Sequence, residues 1–434
     1  MWILGVLQTP IEYYGGDSVK QFDITYFCGP DSECIVKEEV VADIAAAGIT
    51  LCQIGYDTET NKQAIRLLKK YGLRASVVEK RLTEAARNGQ METIDEVIKA
   101  IVDDYKEFDN IEGWDIWDEP NTENFPMIAK IVEAFRRYAP GQETVINLFP
   151  DYAPVEALKD MDYASHLKHF VEKVHPDFIS YDHYPFLGRK LPGTMEELDE
   201  VENEKERMIR LAAKREYYRG DFFGNLRSVR EIGLKNQIEQ MMIALLTEHG
   251  FYRNLTLPEI RWQVNMCLAY GFHRVSYFTY GLPSDDMDFW KWDNAMINWT
   301  GEKYRHYYDV QTVNREIYDI GKLLFTGKSD AVFHIGTDEA AGVPFAGYGA
   351  IKEVDGEQGV IGFFNNGYVY LVNYNYLEER TFTITSEEEL LGYEDGQFAS
   401  LGPVCTVTLP AGGAKLFHML PVREKINGER YLRE

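Results

Sequence analysis

The chain has 434 residues, of which 45% are hydrophobic and 13% aromatic, a composition that is typical of a globular protein and excludes a disordered one. Its 70 acidic and 45 basic residues give a formal net charge of −25 at pH 7, which disfavours nucleic acid and anionic membranes as partners. A chain of this length predicts one large domain of roughly 300 residues and a smaller one.

Targeting and metal-binding signals are sparse in the sequence. The five cysteines lie far apart without a CxxC pair, so neither a disulfide framework nor a zinc site is predicted. The opening MWILGVLQTP lacks the basic region and the small-residue cleavage site of a signal peptide. The sequence contains no run of about 18 apolar residues, so it does not predict a membrane span. We therefore expect a cytoplasmic protein.

Short apolar stretches rich in β-branched and aromatic residues alternate with amphipathic ones. The stretches predict strands at 22–27, 49–55, 73–79, 112–119, 144–149, 177–184, 243–250 and 272–280. The segments between them place apolar residues three and four apart, and several end at glycine. Eight such repeats predict an α/β fold, a (β/α)8 TIM barrel. An open doubly wound sheet is the alternative, but no GxGxxG follows the first strand.

The predicted barrel covers residues 1–327 and contains an insertion at about 188–235. The acidic and then basic run in this insertion indicates a solvated helix, and a lid over the barrel is the alternative. Beyond residue 328 the pattern changes to period-two alternation around turns such as NNG and AGG, which predicts an antiparallel β-sandwich at 328–421. A charged tail follows at 422–434.

Polar and aromatic residues collect where the predicted strands end, which is the active face of a TIM barrel. The candidate site residues are Trp117, Asp118, Glu119, Asn147, Asp182, His183, Tyr184, Glu248, His249 and Tyr280, joined by Trp290 and Trp292 after strand eight. Glu119 and Glu248 stand out, because glycoside hydrolysis needs one protonated and one ionised carboxyl group. The like charge of Asp118 and the apolar walls of Trp114 and Trp117 are expected to raise the pKa of Glu119.

Simpler interpretations stand beside these. Glu119 could cap the helix that begins near Asn124, and Glu248 could pair with a basic group such as Arg253. Glu79 is the reserve candidate for the second carboxyl group. Asp182 and His183 do not predict a metal site, because adjacent strand residues point to opposite faces and no third ligand is in register.

WDEP, residues 117–120, resembles the Asn-Glu-Pro motif of clan A glycoside hydrolases, retaining enzymes whose nucleophile is a glutamate at the end of the seventh strand. ISYDHYPF, PEIRWQVNMCLAYG and VSYFTYGLP are similar to segments of β-galactosidase-like members, in which a trailing β-sandwich is common. The resemblance covers roughly residues 20–325 and implies that Glu119 is the acid/base and Glu248 the nucleophile. Asp118 departs from the pattern, in which an asparagine usually donates to the sugar 2-hydroxyl.

The sequence therefore predicts a retaining glycoside hydrolase that cleaves a β-galactoside or a related β-linked glycoside without a cofactor. The expected partner is a glycoside or oligosaccharide. The sequence leaves open whether the chain also forms a homo-oligomer. One alternative is a barrel that binds saccharide without cleaving it. The other is a metal-dependent isomerase or aldolase, which the nine histidines disfavour.

Overall fold

The computed structural model describes residues 21–88, 92–188, 222–284, 287–337, 342–419, 424–426 and 429–431. Eight parallel strands form its first sheet: β1 Asp23–Phe27, β2 Leu51–Ile54, β3 Arg74–Val78, β4 Ile111–Asp118, β5 Glu143–Leu148, β6 Phe178–His183, β7 Glu239–Leu245 and β8 Arg274–Phe278. Their order is β1-β8-β7-β6-β5-β4-β3-β2. The Thr50 amide donates to the Ile24 carbonyl at 2.9 Å and brings β2 beside β1, so the barrel is nearly closed. The predicted TIM barrel is confirmed.

Helices connect the strands of this barrel and continue beyond the last of them. They are α1 Ser32–Ile35, α2 Glu38–Ala46, α3 Thr58–Lys70, α4 Lys80–Arg87, α5 Ile94–Tyr105, α6 Phe125–Tyr138, α7 Val155–Leu158, α8 Tyr163–Val174, α9 Phe222–Asn236, α10 Leu257–Ala269, α11 Met287–Trp290 and α12 Arg305–Phe325, with a 3-10 turn at Thr122–Asn124. Their apolar residues recur at helical spacing and face the strands, as Ile94, Ile98 and Ile101 do in α5. Polar side chains cap several of them, as Asp57 caps α3 by accepting from the Glu59 and Thr60 amides.

A seven-stranded antiparallel sheet follows the barrel and agrees with the predicted C-terminal β-sandwich. Its strands are β9 Ser329–Ile335, β10 Ile351–Asp355, β11 Gly359–Phe364, β12 Tyr368–Asn373, β13 Arg380–Glu394, β14 Gln397–Leu409 and β15 Ala414–Met419. Their order is β10-β13-β15-β12-β11-β9, with β14 on β13. The predicted domain boundary at 327–328 falls between α12 and β9 and stays a prediction. In the predicted tail, β16 Glu424–Ile426 pairs with β17 Glu429–Tyr431.

The second sheet packs on α10 of the barrel. The Trp262 indole donates to the Tyr374 carbonyl at 2.8 Å, and the Tyr370 hydroxyl donates to Asn265 Oδ1 at 2.7 Å. Asn265 also donates to the Gly412 carbonyl at 2.9 Å. Because α10 is covered by strands on one side and by this sheet on the other, Glu259, Gln263 and Asn265 are buried and hydrogen-bonded.

The seventh predicted strand is displaced. The sequence placed it at 243–250, whereas β7 spans Glu239–Leu245 and Glu248 lies three residues beyond its end. The observed strand begins with polar residues and continues with methionines, a pattern that does not predict a buried strand. Its first residue, Glu239, lies 4.0 Å from Arg274 of β8. Most of the predicted insertion, with its possible lid, falls outside the described residues. No helix of the described ranges is both long and apolar enough to span a bilayer.

The close approach of β11 to α10 gives a test of this packing. A Cβ atom on Gly362 would collide with the backbone carbonyl of Ala269, which cannot move aside as a side chain would. We expect Gly362→Ala to destabilise the protein by about 1 to 3 kcal/mol, measured by chemical denaturation. Val404→Ala, at an exposed position of β14, is the control and should stay within about 0.5 kcal/mol of the parent. An unchanged stability of the glycine variant would contradict the described docking.

Candidate active site

A cleft of about 410 Å³ opens at the C-terminal ends of the strands. One part of its wall carries carboxyl groups and the other carries aromatic rings. The lining residues are Phe27, Cys28, Asp118, Glu119, Asn147, Pro150, Tyr152, Asp182, Tyr184, Ile243, His249, Tyr252, Phe278, Pro283, Trp290 and Trp292. No lysine or arginine of the described residues borders this cleft, so the charged groups that these residues bring to it are acidic.

A bulge in β4 decides which of its side chains face the cleft. Asp115 pairs with Val145 of β5, but Trp117 and not Ile116 takes the next partner, and Asp118 pairs with Asn147. Side chains alternate along a strand, so the extra residue shifts the alternation by one. Asp115 and Asp118 consequently both face the interior. In a regular strand Asp118 would point to the helices.

Glu119 follows the bulged strand in a left-handed backbone conformation, with φ of +48°. Few residues other than glycine adopt this region, and such strain concentrates at functional sites. The Glu119 amide donates to the Asn147 carbonyl at 2.8 Å, which continues the β4–β5 ladder by one bond. This turn brings the side chains of two adjacent residues, Asp118 and Glu119, to the same cleft.

Asn147 joins the carboxyl groups. Its amide nitrogen donates to Asp118 Oδ1 at 3.1 Å and to Asp182 Oδ1 at 2.9 Å. Its own oxygen accepts from the Ser180 hydroxyl at 2.9 Å. All three hydrogen bonds fix the side chain in one orientation, so the positions of both aspartates depend on Asn147.

Burial, together with the crowding of like charges, raises the pKa values of the carboxyl groups in this cleft. Burial, then the charge of Asp182 and then that of Asp118 raise the pKa of Glu119 to about 9. Burial and the charge of Asp118 raise the pKa of Asp182 to about 7, against the hydrogen bond from Asn147, which lowers it. Glu119 is open to solvent at the mouth, yet the surrounding wall still desolvates its carboxyl group. Glu119 therefore holds its proton more strongly than Asp182 does.

The predicted cause of the Glu119 shift is only partly right. Asp118 contributes, but Asp182 contributes more, and the sequence did not indicate that neighbour. Trp114 is not a wall of the cleft, because it is buried among the helices and stacks on Phe135 at 5.1 Å between ring centroids. The cap of the turn after β4 is Asn121, whose side chain accepts from the Glu123 amide, so Glu119 does not have that role.

Aromatic rings form the opposite wall. The His249 ring stacks on Trp292 at 4.7 Å, and Trp290 lies 5.6 Å from Trp292. Tyr184 meets the Tyr252 ring edge-on at 5.1 Å. His249 Nδ1 lies 2.7 Å from the Thr247 carbonyl and donates to it, which orients the ring. Such flat apolar surfaces suit the C–H faces of a sugar.

A second cleft of about 310 Å³ adjoins the first and shares Phe27, Asp118 and Asn147 with it. Its deepest acidic group is Asp115, which accepts from Gln53 at 3.1 Å and from Ser76. Burial raises the pKa of Asp115 to about 6. Sequence reasoning missed this residue, although an aspartate within the apolar run GWDIW was a usable signal.

Eight of the predicted site residues border the first cleft: Asp118, Glu119, Asn147, Asp182, Tyr184, His249, Trp290 and Trp292. Trp117 lines the second cleft. His183 points to the helices, where Nδ1 lies 3.0 Å from Asn225 Oδ1. Tyr280 is fully buried, with its ring 5.0 Å from that of Tyr26.

Glu248 is not among the described residues that line either cleft. Its Oε2 accepts from Asn294 at 2.7 Å, and its backbone pairs with that of Asp293. Arg253, the basic partner considered for Glu248, instead donates to Glu259 at 2.9 Å. The reserve candidate Glu79 is buried, with an ion pair to Arg81 at 3.0 Å.

No group of three or more histidine, cysteine, aspartate or glutamate side chains within the described ranges is arranged to hold a metal ion. The carboxyl groups of the cleft share the Asn147 amide instead.

No protein-family model and no curated protein sequence matches the chain. Several solved structures match the chain in fold. A β-galactosidase from a Rahnella species has a TM-score of 0.59 at 9% identity, covering 93% of this chain and 99% of that one. A family 5 glycoside hydrolase from Bacteroides vulgatus has a TM-score of 0.56 at 10% identity, with 95% and 92% covered. A family 39 glycoside hydrolase from Bacteroides cellulosilyticus has a TM-score of 0.51 at 11% identity, with 92% and 80% covered. The chain thus has a fold that glycoside hydrolases share.

The Asn147 hydrogen bonds give a test of this site. Asn147→Ala should lower the free energy of unfolding by about 1 to 3 kcal/mol, because two carboxyl groups and Ser180 lose a partner. Asn147 lowers the pKa values of both aspartates, so its removal raises them in the folded state. The loss should therefore be larger at mildly alkaline pH, where the unsupported groups are ionised, and shrink as pH falls. Chemical denaturation of parent and variant, at mildly alkaline pH and at acidic pH, measures this loss of stability. A loss that does not change with pH would contradict the described hydrogen bonds of Asn147.

Proposed function

We propose that the protein is a glycoside hydrolase that cleaves a β-galactoside or a related β-linked glycoside in the first cleft. The observation that carries this proposal is the position of Glu119, a carboxyl group with a raised pKa beside the carboxylates Asp118 and Asp182. Glycosidic cleavage needs such a group to protonate the leaving oxygen, next to a second that stays ionised. The fold shared with glycoside hydrolases is consistent with this role.

In this mechanism the sugar lies against the aromatic wall, and Glu119 faces the glycosidic oxygen. Trp290, Trp292 and Tyr184 offer the flat surfaces for the sugar ring. Asp118 and Asp182 accept hydrogen bonds from sugar hydroxyls. As the bond to the leaving group breaks, Glu119 transfers its proton to that oxygen and becomes a carboxylate.

The retaining mechanism with Glu248 as the nucleophile stays a prediction from the family resemblance. In it, Glu248 would attack the anomeric carbon, and Glu119 would then deprotonate the water that releases the sugar. Glu248 accepts a hydrogen bond from Asn294 and is not among the described residues that line the cleft. The same position favours the second candidate function, a barrel that binds saccharides without cleaving them.

Glu119→Gln tests the proposed acid. With aryl glycosides of poor leaving groups, kcat/KM should fall by about 10² to 10⁴-fold, because the leaving oxygen no longer receives a proton. With dinitrophenyl glycosides the loss should be much smaller, since that group departs without protonation. Nitrophenol or phenol release across a panel of β-glycosides measures both.

Glu123→Gln is the matched control, because Glu123 is exposed on the turn after Glu119 and does not line either described cleft. It should keep the parent activity. Equal losses for good and poor leaving groups would contradict acid catalysis by Glu119. Saccharide binding without turnover by the parent protein would support the binding-barrel alternative.

The neighbouring charges predict a pH effect. Activity requires protonated Glu119, so it is present below the raised pKa of Glu119 and lost as pH rises through it. Asp118→Asn removes a negative charge that raises this pKa, so the alkaline limb of kcat/KM should move to lower pH. The pH profiles of parent and variant measure the shift. An unmoved limb would show that another group controls it.

A further inference from the structure

The two tryptophans of β4 differ in their contacts. Trp114 is buried, stacks on Phe135 at 5.1 Å between ring centroids and donates its indole N–H to Gln142 Oε1 at 2.8 Å. Trp117 is only half-buried and lines the second cleft. Within the described ranges, no aromatic ring stacks on Trp117 and no acceptor takes its indole N–H. Trp117 therefore offers ring surface and a hydrogen-bond donor to a molecule in this cleft.

The second cleft is continuous with the first. The two clefts, of about 310 and 410 Å³, share Phe27, Asp118 and Asn147. Each by itself has a volume in the range of about 300 to 1,000 Å³ in which proteins bind small molecules. They meet at Asp118, the chain neighbour of the proposed acid Glu119. A chain of sugars that is cleaved in the first cleft can therefore continue into the second.

The polar groups of the second cleft include both donors and acceptors. Asp115 already accepts from Gln53 and Ser76, but each carboxylate oxygen has two lone pairs and can accept a further hydrogen bond. From the other side, α4 contributes Thr83 and Arg87, which are four residues apart and thus on one face of the helix. Arg87 is exposed and has no ion pair to the described residues. A sugar hydroxyl both donates and accepts, so this mixture suits it.

Helix α4 is held in place independently of the cleft. Its Arg81 pairs with Glu79 at 3.0 Å and with Asp104 of α5 at 2.6 Å. These ion pairs anchor the helix and leave Thr83 and Arg87 to the cleft. A wall that is fixed before the ligand arrives loses little conformational freedom on binding, which favours affinity.

We infer that the second cleft binds a further sugar unit of the substrate, with Trp117 against the sugar ring and Asp115 and Arg87 bound to its hydroxyl groups. The substrate is therefore an oligosaccharide that spans both clefts, and not a simple glycoside. This inference rests on the glycoside hydrolysis proposed above and names the substrate class for it. The sugar unit is a neutral one, because Asp115, Asp118 and a net charge of −25 repel an acidic sugar.

The dependence of activity on chain length tests this inference. The probes are β-linked oligosaccharides, from two to five units long, of the sugar whose aryl glycoside the wild-type protein hydrolyses. We expect kcat/KM to rise on the order of 10-fold when the unit that enters the second cleft is added, and then to level off. Chromatography of the products measures the initial rates. A kcat/KM that does not change along the series would overturn the inference.

Variants of Trp117 connect the gain with chain length to the second cleft. The readout is the ratio of kcat/KM for the longer oligosaccharide to kcat/KM for the aryl glycoside of a single sugar. Trp117→Ala should lose this gain, whereas Trp117→Phe keeps an aromatic ring and should retain most of it. Thermal unfolding checks that both variants are folded. A ratio equal to that of the parent in folded Trp117→Ala would overturn the inference.

Arg87→Gln gives a result that does not depend on core packing, because Arg87 is exposed at the edge of the cleft. It should lower the same ratio by a smaller factor, since water also competes for this guanidinium. Lys80→Gln is the matched control: Lys80 is an exposed cation of the same helix and lines neither described cleft. It should keep the ratio of the parent. Equal ratios for the Arg87 and Lys80 variants would contradict a role of Arg87 in the cleft.

Failure of the proposed function gives a different result. If the wild type cleaves aryl glycosides but shows no gain with chain length, hydrolysis stands and only the second cleft is reassigned. If it cleaves neither aryl glycosides nor oligosaccharides, hydrolysis falls, and calorimetric titration with β-1,4-linked galacto-oligosaccharides of two to five units tests the second cleft by itself. An affinity that rises with chain length and is lost in Trp117→Ala would support the binding of an oligosaccharide there. Absent binding, or an affinity independent of chain length, would overturn it.

Discussion

The pairing of β4 with β5 skips Ile116, and the rest of the site depends on this one extra residue. The shift in alternation sends Asp118 into the barrel beside Asn147 and lets Glu119 turn back over the strand end. Asn147 then joins Asp118 of β4 to Asp182 of β6. A regular β4 would direct Asp118 to the helices, and the carboxyl groups would not meet.

Bringing several carboxyl groups into one cleft costs free energy, because burial and like charge both disfavour ionisation. The three carboxyl groups are affected differently. The hydrogen bonds from Asn147 favour the ionised forms of Asp118 and Asp182, whereas burial and like charge raise the pKa of Glu119. The pKa of Glu119, raised to about 9, is higher than that of Asp182, raised to about 7. An acid and a base of this kind are what glycosidic cleavage requires, so an electrostatic burden on folding becomes the basis of the proposed chemistry.

The loop after β8 and the second sheet complete the part of the barrel around β7 and β8. The loop after β8 carries Trp290 and Trp292 to the cleft, where His249 packs on Trp292. The second sheet covers α10 and buries Trp262 and Asn265 against its own backbone. This sheet therefore supports the part of the barrel around β7 and β8.

The sequence by itself determined the fold class and one half of the site. Buried apolar runs alternating with amphipathic stretches predict a parallel barrel, because each pattern suits one kind of element, and DEP after the fourth run predicts Glu119 at a strand end. The tertiary structure alone decided what surrounds Glu119. Strand register and the bulge at Ile116 arise from pairing between distant segments, so they decided that Asp118 and Asp182 share the Asn147 side chain and that Glu248 lies three residues past β7. Local patterns report which residues are buried, whereas the contacts among strands determine which of them meet.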